Sequence, residues 1–568
     1  MRRIECVVAI LWLSLWSTVS ASAPVDAAAT AAVLAGFEKP GEPGCAVGVL
    51  DNGKWAFKGA YGLADLTSGA RNSPDLIFGV ASVTKQFTAA AAAIAAHQGY
   101  FGLQDDIRKY LPEMPDYGTP VSIAELIYHT DGIRDHGRIV PLTGQPQRYE
   151  SQSSRVALLA RQRALNFAPG TQYMYGNAGY LLLAEIIQRT TRQPFPAFVE
   201  KNIFRPLGMK HSYFGSQTRG SAGRAMPYSR RSGGWRNTDG EASATWGSAG
   251  VMTTLDDYAK WATNLFAKRS KLPGGTQLTE LLRRHGTLRD GTPVDYGFGL
   301  RLHSYRGVRQ VGHSGAGDGY QALAMMFPDR ALGVFGFCNN GVYAHEVVMA
   351  VTDPYLGLPP PGTTETGERV QLPLAQLQRL AGVYRESQFR LPMFVQADAD
   401  ALIIDGDAKR YRYLPLGGTR FRNEENIIIE FGGPTDAPAQ TLEQREGRKY
   451  GSGVFSRIEL ATPTAQQLLA VAGDYYSADL DATYRFSVRE GKLVAHIVNG
   501  RSFLEGIGFQ PVLADEFVAI DERMVVRFTR QANGEIDGLD LTHQFGWIKD
   551  VRFERVVSAV TRAATEVP

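Results

Sequence analysis

The sequence carries almost no excess charge: Lys+Arg 60 against Asp+Glu 57 leaves +3 over 568 residues. No basic stripe or tail of the kind that neutralises phosphates is present, which excludes nucleic acid as a partner and leaves small molecules or peptides. Long apolar runs are also scarce. Beyond the N-terminus no stretch reaches the roughly 20 apolar residues that span a bilayer, so no integral membrane segment is expected in the mature chain. Only three cysteines occur. What is abundant is ordinary: 44% hydrophobic residues, enough for a sizeable core, excludes disordered and fibrous classes and suggests three or four domains.

The first residues combine Arg2-Arg3, an apolar run from Val7 to Trp16 broken by Ser14, and small residues around Val19-Ser20-Ala21-Ser22-Ala23. This pattern reads as a secretory signal peptide over 1–23, so the expected location is periplasmic or secreted. Export leaves Cys45 and Cys338 in an oxidising compartment, as a disulfide or as two buried thiols.

From Cys45 to Tyr61, two apolar runs flank Asp51-Asn52-Gly53, a hairpin signal. Residues from Asp75 to about Gly215 read as mainly helical, and strand character returns after His313 with QALAMMF and ALGVFGF. The expected fold class is therefore α/β (α+β): an antiparallel sheet flanked by helices, split by an all-helical insert. The segment Leu356 to Pro373 is rich in Pro, Gly and Thr and reads as a linker. Beyond it the chain looks all-β. Gln376-Leu377 with Ala381-Gly382-Val383-Tyr384 recurs 91 residues later as Gln467-Leu468 with Ala472-Gly473-Asp474-Tyr475, which predicts two small antiparallel β-barrels. The expected boundaries are 24–356 for the first domain, 357–373 for the linker, and 374–464 and 465–568 for the barrels.

The chemistry centres on GVASVTKQFTAAAAAIAAHQGYF, Gly79 to Phe101, where Ser82 and Lys85 share one face at the start of an alanine-rich helix. A serine hydroxyl needs a nearby base before it becomes a nucleophile, and the positive end of a helix dipole would lower the lysine pKa. Alone, the pair is an ordinary N-cap beside a solvated lysine. Its companions are Tyr175 and Asn177 in a turn before a helix, and His313-Ser314-Gly315 at the rim of a strand. Ser314 is no nucleophile elbow, since Ala316 stands where that motif needs its last glycine. Ser248 in WGSAG reads as a turn residue.

The order Ser82-x-x-Lys85, Tyr175-x-Asn177 and His313-x-Gly315, together with His129-Thr130-Asp131-Gly132, Pro206-Leu207-Gly208-Met209 and Trp246-Gly247-Ser248-Ala249-Gly250, resembles the serine β-lactamase and penicillin-binding protein superfamily on its class C branch. With SVTKQFT and the two-barrel tail, the domain layout is most similar to the bacterial D-aminopeptidase type. The resemblance implies an acyl-enzyme on Ser82, proton exchange through Lys85 and Tyr175, and Asn177 positioning Lys85 and the substrate amide. It further implies an oxyanion hole from the backbone N–H groups of Ser82 and Ala316, beside Gly315. It implies no cofactor. Because the first and last strands of this family's sheet lie antiparallel, it also implies a Cys45–Cys338 disulfide.

Two departures matter. Penicillin-recognising relatives usually carry a lysine where this chain has His313, and a neutral imidazole attracts a substrate carboxylate weakly. The chain also leaves only the short turn Asp521-Glu522-Arg523 where the D-aminopeptidase type sends a loop into the site. The reading is an exported, D-aminopeptidase-like serine hydrolase of a small peptide, amide or ester. The alternatives are a carboxylesterase, a penicillin-binding DD-peptidase or β-lactamase, and a non-catalytic cell-wall binding or sensor protein. His129, Asp131, Asp135 and His136 match no standard zinc spacing, and the resemblance implies that this segment is a structural helix-to-loop junction.

Overall fold

The computed structural model describes residues 27–215, 223–240, 245–341, 344–358, 370–405, 410–424, 427–434, 437–446, 453–498, 500, 507–543 and 547–556. The signal-peptide reading and most of the expected linker lie outside the described residues. A six-stranded sheet organises the first part: β1 (Cys45–Asp51), β2 (Lys54–Tyr61), β3 (Arg301–Tyr305), β4 (Val308–Gly317), β5 (Tyr320–Phe327) and β6 (Leu332–Cys338). They lie in the order β3-β4-β5-β6-β1-β2, every neighbour antiparallel. Asn52 and Gly53 both take positive φ, 49° and 74°, so a two-residue turn matched to strand twist joins β1 to β2.

The central strands are apolar almost throughout because both faces of the sheet are covered. Alternate side chains part into two cores. Ala46, Ala324, Phe335 and Phe337 join the large cluster under the helical insert. Val47, Val49, Leu323, Met325 and Val334 face Leu34, Val347, Val348 and Val351, supplied by the helices Ala27–Ala35 and Ala344–Tyr355. The insert contributes four helices that bear on the site: α1 (Lys85–His97), α2 (Ile123–Tyr128), α3 (His136–Leu142) and α4 (Ala178–Thr191).

The tail forms two closed eight-stranded barrels. The first runs from Gly382–Glu386 to Val454–Ile458, the second from Gly473–Ser477 to Ile548–Arg555. Each opens with a short helix, Leu374–Leu380 or Ala465–Val471. The sequence echo has a structural cause: Tyr384 donates to the Leu380 carbonyl at 2.7 Å and Tyr475 to the Val471 carbonyl at 2.8 Å, latching helix to barrel at equivalent places. Arg457 and Arg555 likewise donate to the carbonyls of Ala381 and Ala472 at 2.6 and 2.8 Å. Arg385 and Glu516 join the barrels through a bidentate pair at 2.6 and 2.7 Å. The second barrel also shares the large apolar cluster of the first domain.

Candidate active site

Ser82 sits in a 3-10 turn, Ala81–Thr84, that feeds directly into α1. Ala81 adopts φ 44°, a left-handed conformation uncommon for a side-chain-bearing residue and often found at functional turns. The alanines of α1 suit a helix that passes through the middle of the core, where larger side chains would not fit, and Ala89 to Ala93 are buried.

Lys85, one turn after Ser82, is 0% exposed. Its Nζ reaches Ser82 Oγ at 3.1 Å, Asn177 Oδ1 at 2.8 Å and the Ser248 carbonyl at 3.0 Å. Burial lowers its pKa to about 7, with Asp135 opposing the shift and Arg301 adding to it. The helix-end reading of the sequence thus gives way to burial as the main cause. In the neutral amine two N–H groups satisfy Asn177 and Ser248, and the lone pair faces the serine hydroxyl. Ser248 therefore contributes through its backbone, which its turn reading does not disclose.

Tyr175 arrives on a loop zipped along the segment after α2. Asn166 N donates to Gly132 O at 2.7 Å, Gly170 N to Thr130 O at 2.7 Å, and Met174 N to His129 O at 2.9 Å. Gly176 N then donates to His129 Nδ1 at 3.3 Å. His129 itself caps α2 in a left-handed conformation. The Tyr175 ring lies 4.6 Å from the His129 ring, with Lys85 Nζ 4.8 Å and Arg301 Cζ 5.3 Å from its centroid. Burial pushes the phenol up to about 12, while a hydrogen bond with Ser82 pulls it down. Asn177 stands at the N-cap of α4.

His313 lies inside β4, buried, rather than at its rim. Its Nδ1 is 2.6 Å from the Ser314 carbonyl and its Nε2 2.9 Å from the Tyr296 hydroxyl. A carbonyl only accepts, so Nδ1 carries the proton and Nε2 accepts from Tyr296. Burial holds its pKa well below the ordinary histidine value, and the imidazole is neutral. Gly315 is fixed by contact: a Cβ there would meet the Val80 carbonyl at 2.2 Å and Ser82 N at 3.0 Å. That closeness seats β4 against the serine's backbone, with Ala316 exposed at the strand's open end.

Arg301 is the residue the sequence does not single out. It opens β3 opposite Gly312, and its buried Nε has no hydrogen-bond partner among the described residues. Nothing in RLHSYRGVRQ separates it from its neighbouring arginines, since only the strand register turns it towards Tyr175. Thr130, Asp131, Arg134, Asp135 and His136 are buried, as is His129, and among the described residues no group of three His, Cys, Asp or Glu side chains could hold a metal ion. Asp521-Glu522-Arg523 forms a turn in the second barrel beside His543, and the preceding Ile520 packs with Met174 in a cluster between the barrels and the Tyr175 loop. Away from the site, Cys45 and Cys338 face each other across β1 and β6 and are joined as a disulfide.

The Beta-lactamase family model matches residues 30–351. A D-aminopeptidase of Gluconobacter oxydans (strain 621H) is 27% identical over 460 residues, 80% of this chain and 82% of that protein. A D-aminopeptidase of Brucella anthropi is 28% identical over 333 residues, 56% of this chain and 60% of its own. Among solved structures, the octameric penicillin-binding protein homologue from Pyrococcus abyssi superposes with a TM-score of 0.52 at 18% identity, covering 90% of this chain and 95% of that one. The penicillin-binding protein from Bacillus halodurans gives 0.50 at 21% identity, over 57% and 98%. These two likenesses speak to the fold. Among the described residues no helix is long and apolar enough to cross a membrane. With a serine hydroxyl, a buried amine and a phenol brought together at the start of α1, the chain belongs to the Beta-lactamase family and is a serine hydrolase.

Proposed function

We propose that the protein is exported and hydrolyses a small peptide or amide through an acyl-enzyme on Ser82, in the manner of a D-aminopeptidase. The observation that carries the acyl-enzyme chemistry is the buried Lys85 amine 3.1 Å from the Ser82 hydroxyl, with a pKa of about 7. Neutral Lys85, with Tyr175 relaying, takes the hydroxyl proton as Oγ attacks the substrate carbonyl carbon. The oxyanion is received by the N–H groups of Ser82 and Ala316. Collapse breaks the scissile C–N bond, and the leaving amine departs with the proton returned through Tyr175. Water then attacks the acyl-enzyme by the reverse relay, releasing the acid and restoring Ser82. Support for the amide class comes from the two D-aminopeptidase relatives.

A second reading, a penicillin-binding DD-peptidase or β-lactamase, is favoured by Arg301. Neutral His313 supplies no charge, but this guanidinium beside Tyr175 offers a cation for a substrate carboxylate. One panel separates the readings: D-alanine p-nitroanilide for the aminopeptidase, p-nitrophenyl acetate for a carboxylesterase, and nitrocefin with a D-alanyl-D-alanine peptide for the carboxylate-binding class. Turnover of the first with none of the last two supports the D-aminopeptidase reading, and the opposite pattern overturns it. Ser82→Ala is expected to abolish turnover and labelling by a fluorescent phosphonate without changing the circular dichroism spectrum. Wild-type protein that resists the phosphonate would return the chain to the non-catalytic alternative.

A further inference from the structure

The reactive lysine is fixed through a chain of contacts that leaves the first domain. Asn177, which accepts from Lys85 through Oδ1, donates its backbone N–H to the Asp135 carboxylate. Asp135 is 3% exposed and caps α3 by accepting from Arg138 N at 3.3 Å. Immediately before it, the fully buried Arg134 points the other way, into the second barrel. Arg134 donates to the Asp479 carboxylate at 2.8 Å, the Lys549 carbonyl at 2.9 Å and the Asp550 carbonyl at 3.0 Å. Asn166, whose N–H is already bound to Gly132, adds donation to the Trp547 carbonyl at 3.0 Å and accepts from Lys549 N at 2.9 Å.

We infer that Asp135 is a positioning residue for the Ser82–Lys85 pair, held in place by the second barrel through Arg134. This rests on the acyl-enzyme reading above. A single step along the chain, from Arg134 to Asp135, thus connects a barrel more than 330 residues downstream to the catalytic amine, because the two side chains face opposite directions. The second barrel becomes part of the catalytic framework.

The pH dependence gives this a readout that loss of packing alone would not produce. Lys85 faces Asp135, Arg301, His129, His313, His136, Tyr175 and Tyr180. Burial keeps the three histidines neutral and the phenols protonated, so Asp135 and Arg301 are the charges acting on it. Asp135 in turn faces Lys85, His136, Arg155, Asp131 and Tyr175. The carboxylate favours the charged ammonium, so its removal lets the lysine lose its proton more easily.

The experiment measures the second-order rate of Ser82 labelling by a fluorescent phosphonate from pH 5 to 9 in the full chain. Asp135→Asn is expected to lower the maximum rate about tenfold and to move the acid limb down by about half to one pH unit. Asp135→Glu keeps the charge but lengthens the arm. It is expected to lose rate with its limb near the wild-type position, and it serves as the test if the asparagine variant does not fold. Joint Arg134→Met and Asp479→Asn removes the anchor without leaving a buried charge and is expected to lower the rate about tenfold while the protein stays folded. An unmoved limb at full rate in Asp135→Asn, or a limb shifted equally by Asp135→Glu, overturns the role of Asp135. Full rate in the double variant overturns that of the barrel. A wild type that is never labelled removes the acyl-enzyme reading first, and this inference with it.

Discussion

At the scale of single residues, the candidate site places one amine where water cannot reach it. With Lys85 near 7 and Tyr175 near 12, labelling of Ser82 is expected to rise about tenfold per pH unit below 7 and to level off above it. Tyr175 stays protonated throughout that range. Lys85→Arg, which keeps charge but cannot give up its proton, is expected to cost about 10²–10⁴-fold in kcat/KM. Asp131 offers a separate test. Burial raises its carboxyl pKa to about 7, so the folded state holds a proton that the unfolded state releases above pH 4. The fold is therefore favoured at low pH and loses up to about 4 kcal/mol as pH rises from 4 through 7. Asp131→Asn keeps an acceptor for Ile133 N and should flatten this slope in thermal melts at pH 4 and 8. Ser82, Lys85, Tyr175 and Asn177 are legible in sequence because their short motifs keep fixed spacing. Arg301 and the Ser248 carbonyl are not, because a strand register and a backbone direction bring them in.

At the scale of elements, β4 must lie flush against the turn that carries Ser82. Gly315→Ala puts a methyl 2.2 Å from the Val80 carbonyl. The expected outcome is a loss of about 1–3 kcal/mol in stability with a fall in kcat/KM of tenfold or more, read by denaturant melts and phosphonate labelling side by side. The insert, the split sheet and the hairpin at Asn52-Gly53 follow from apolar pattern and turn chemistry. The barrel repeat is visible because its latch needs a tyrosine and a helix at the same offset in both copies. The docking of the second barrel on α3 is invisible for the opposite reason, since Arg134 has no sequence neighbour that reveals its partner at Asp479.

At the scale of the whole molecule, the Arg134–Asp479 pair is buried on both sides, with exposures of 1% and 9%. Asp479→Asn alone strands a guanidinium in the interior and is expected to lower stability by about 3–5 kcal/mol, measurable by thermal melting, whereas the paired replacement described above should cost less. The sheet itself holds one more consequence. β1 is not an edge but lies between β2 and β6, paired with Cys338 from its first residue. A nascent chain that has made its opening strand must therefore wait for nearly three hundred further residues before that strand acquires its second neighbour. Until then the hairpin presents a bare apolar rim to whatever surrounds it. Newly made copies are expected to depend on holding factors far more than their finished stability would suggest, and truncation just before residue 332 should yield aggregates rather than a smaller folded domain.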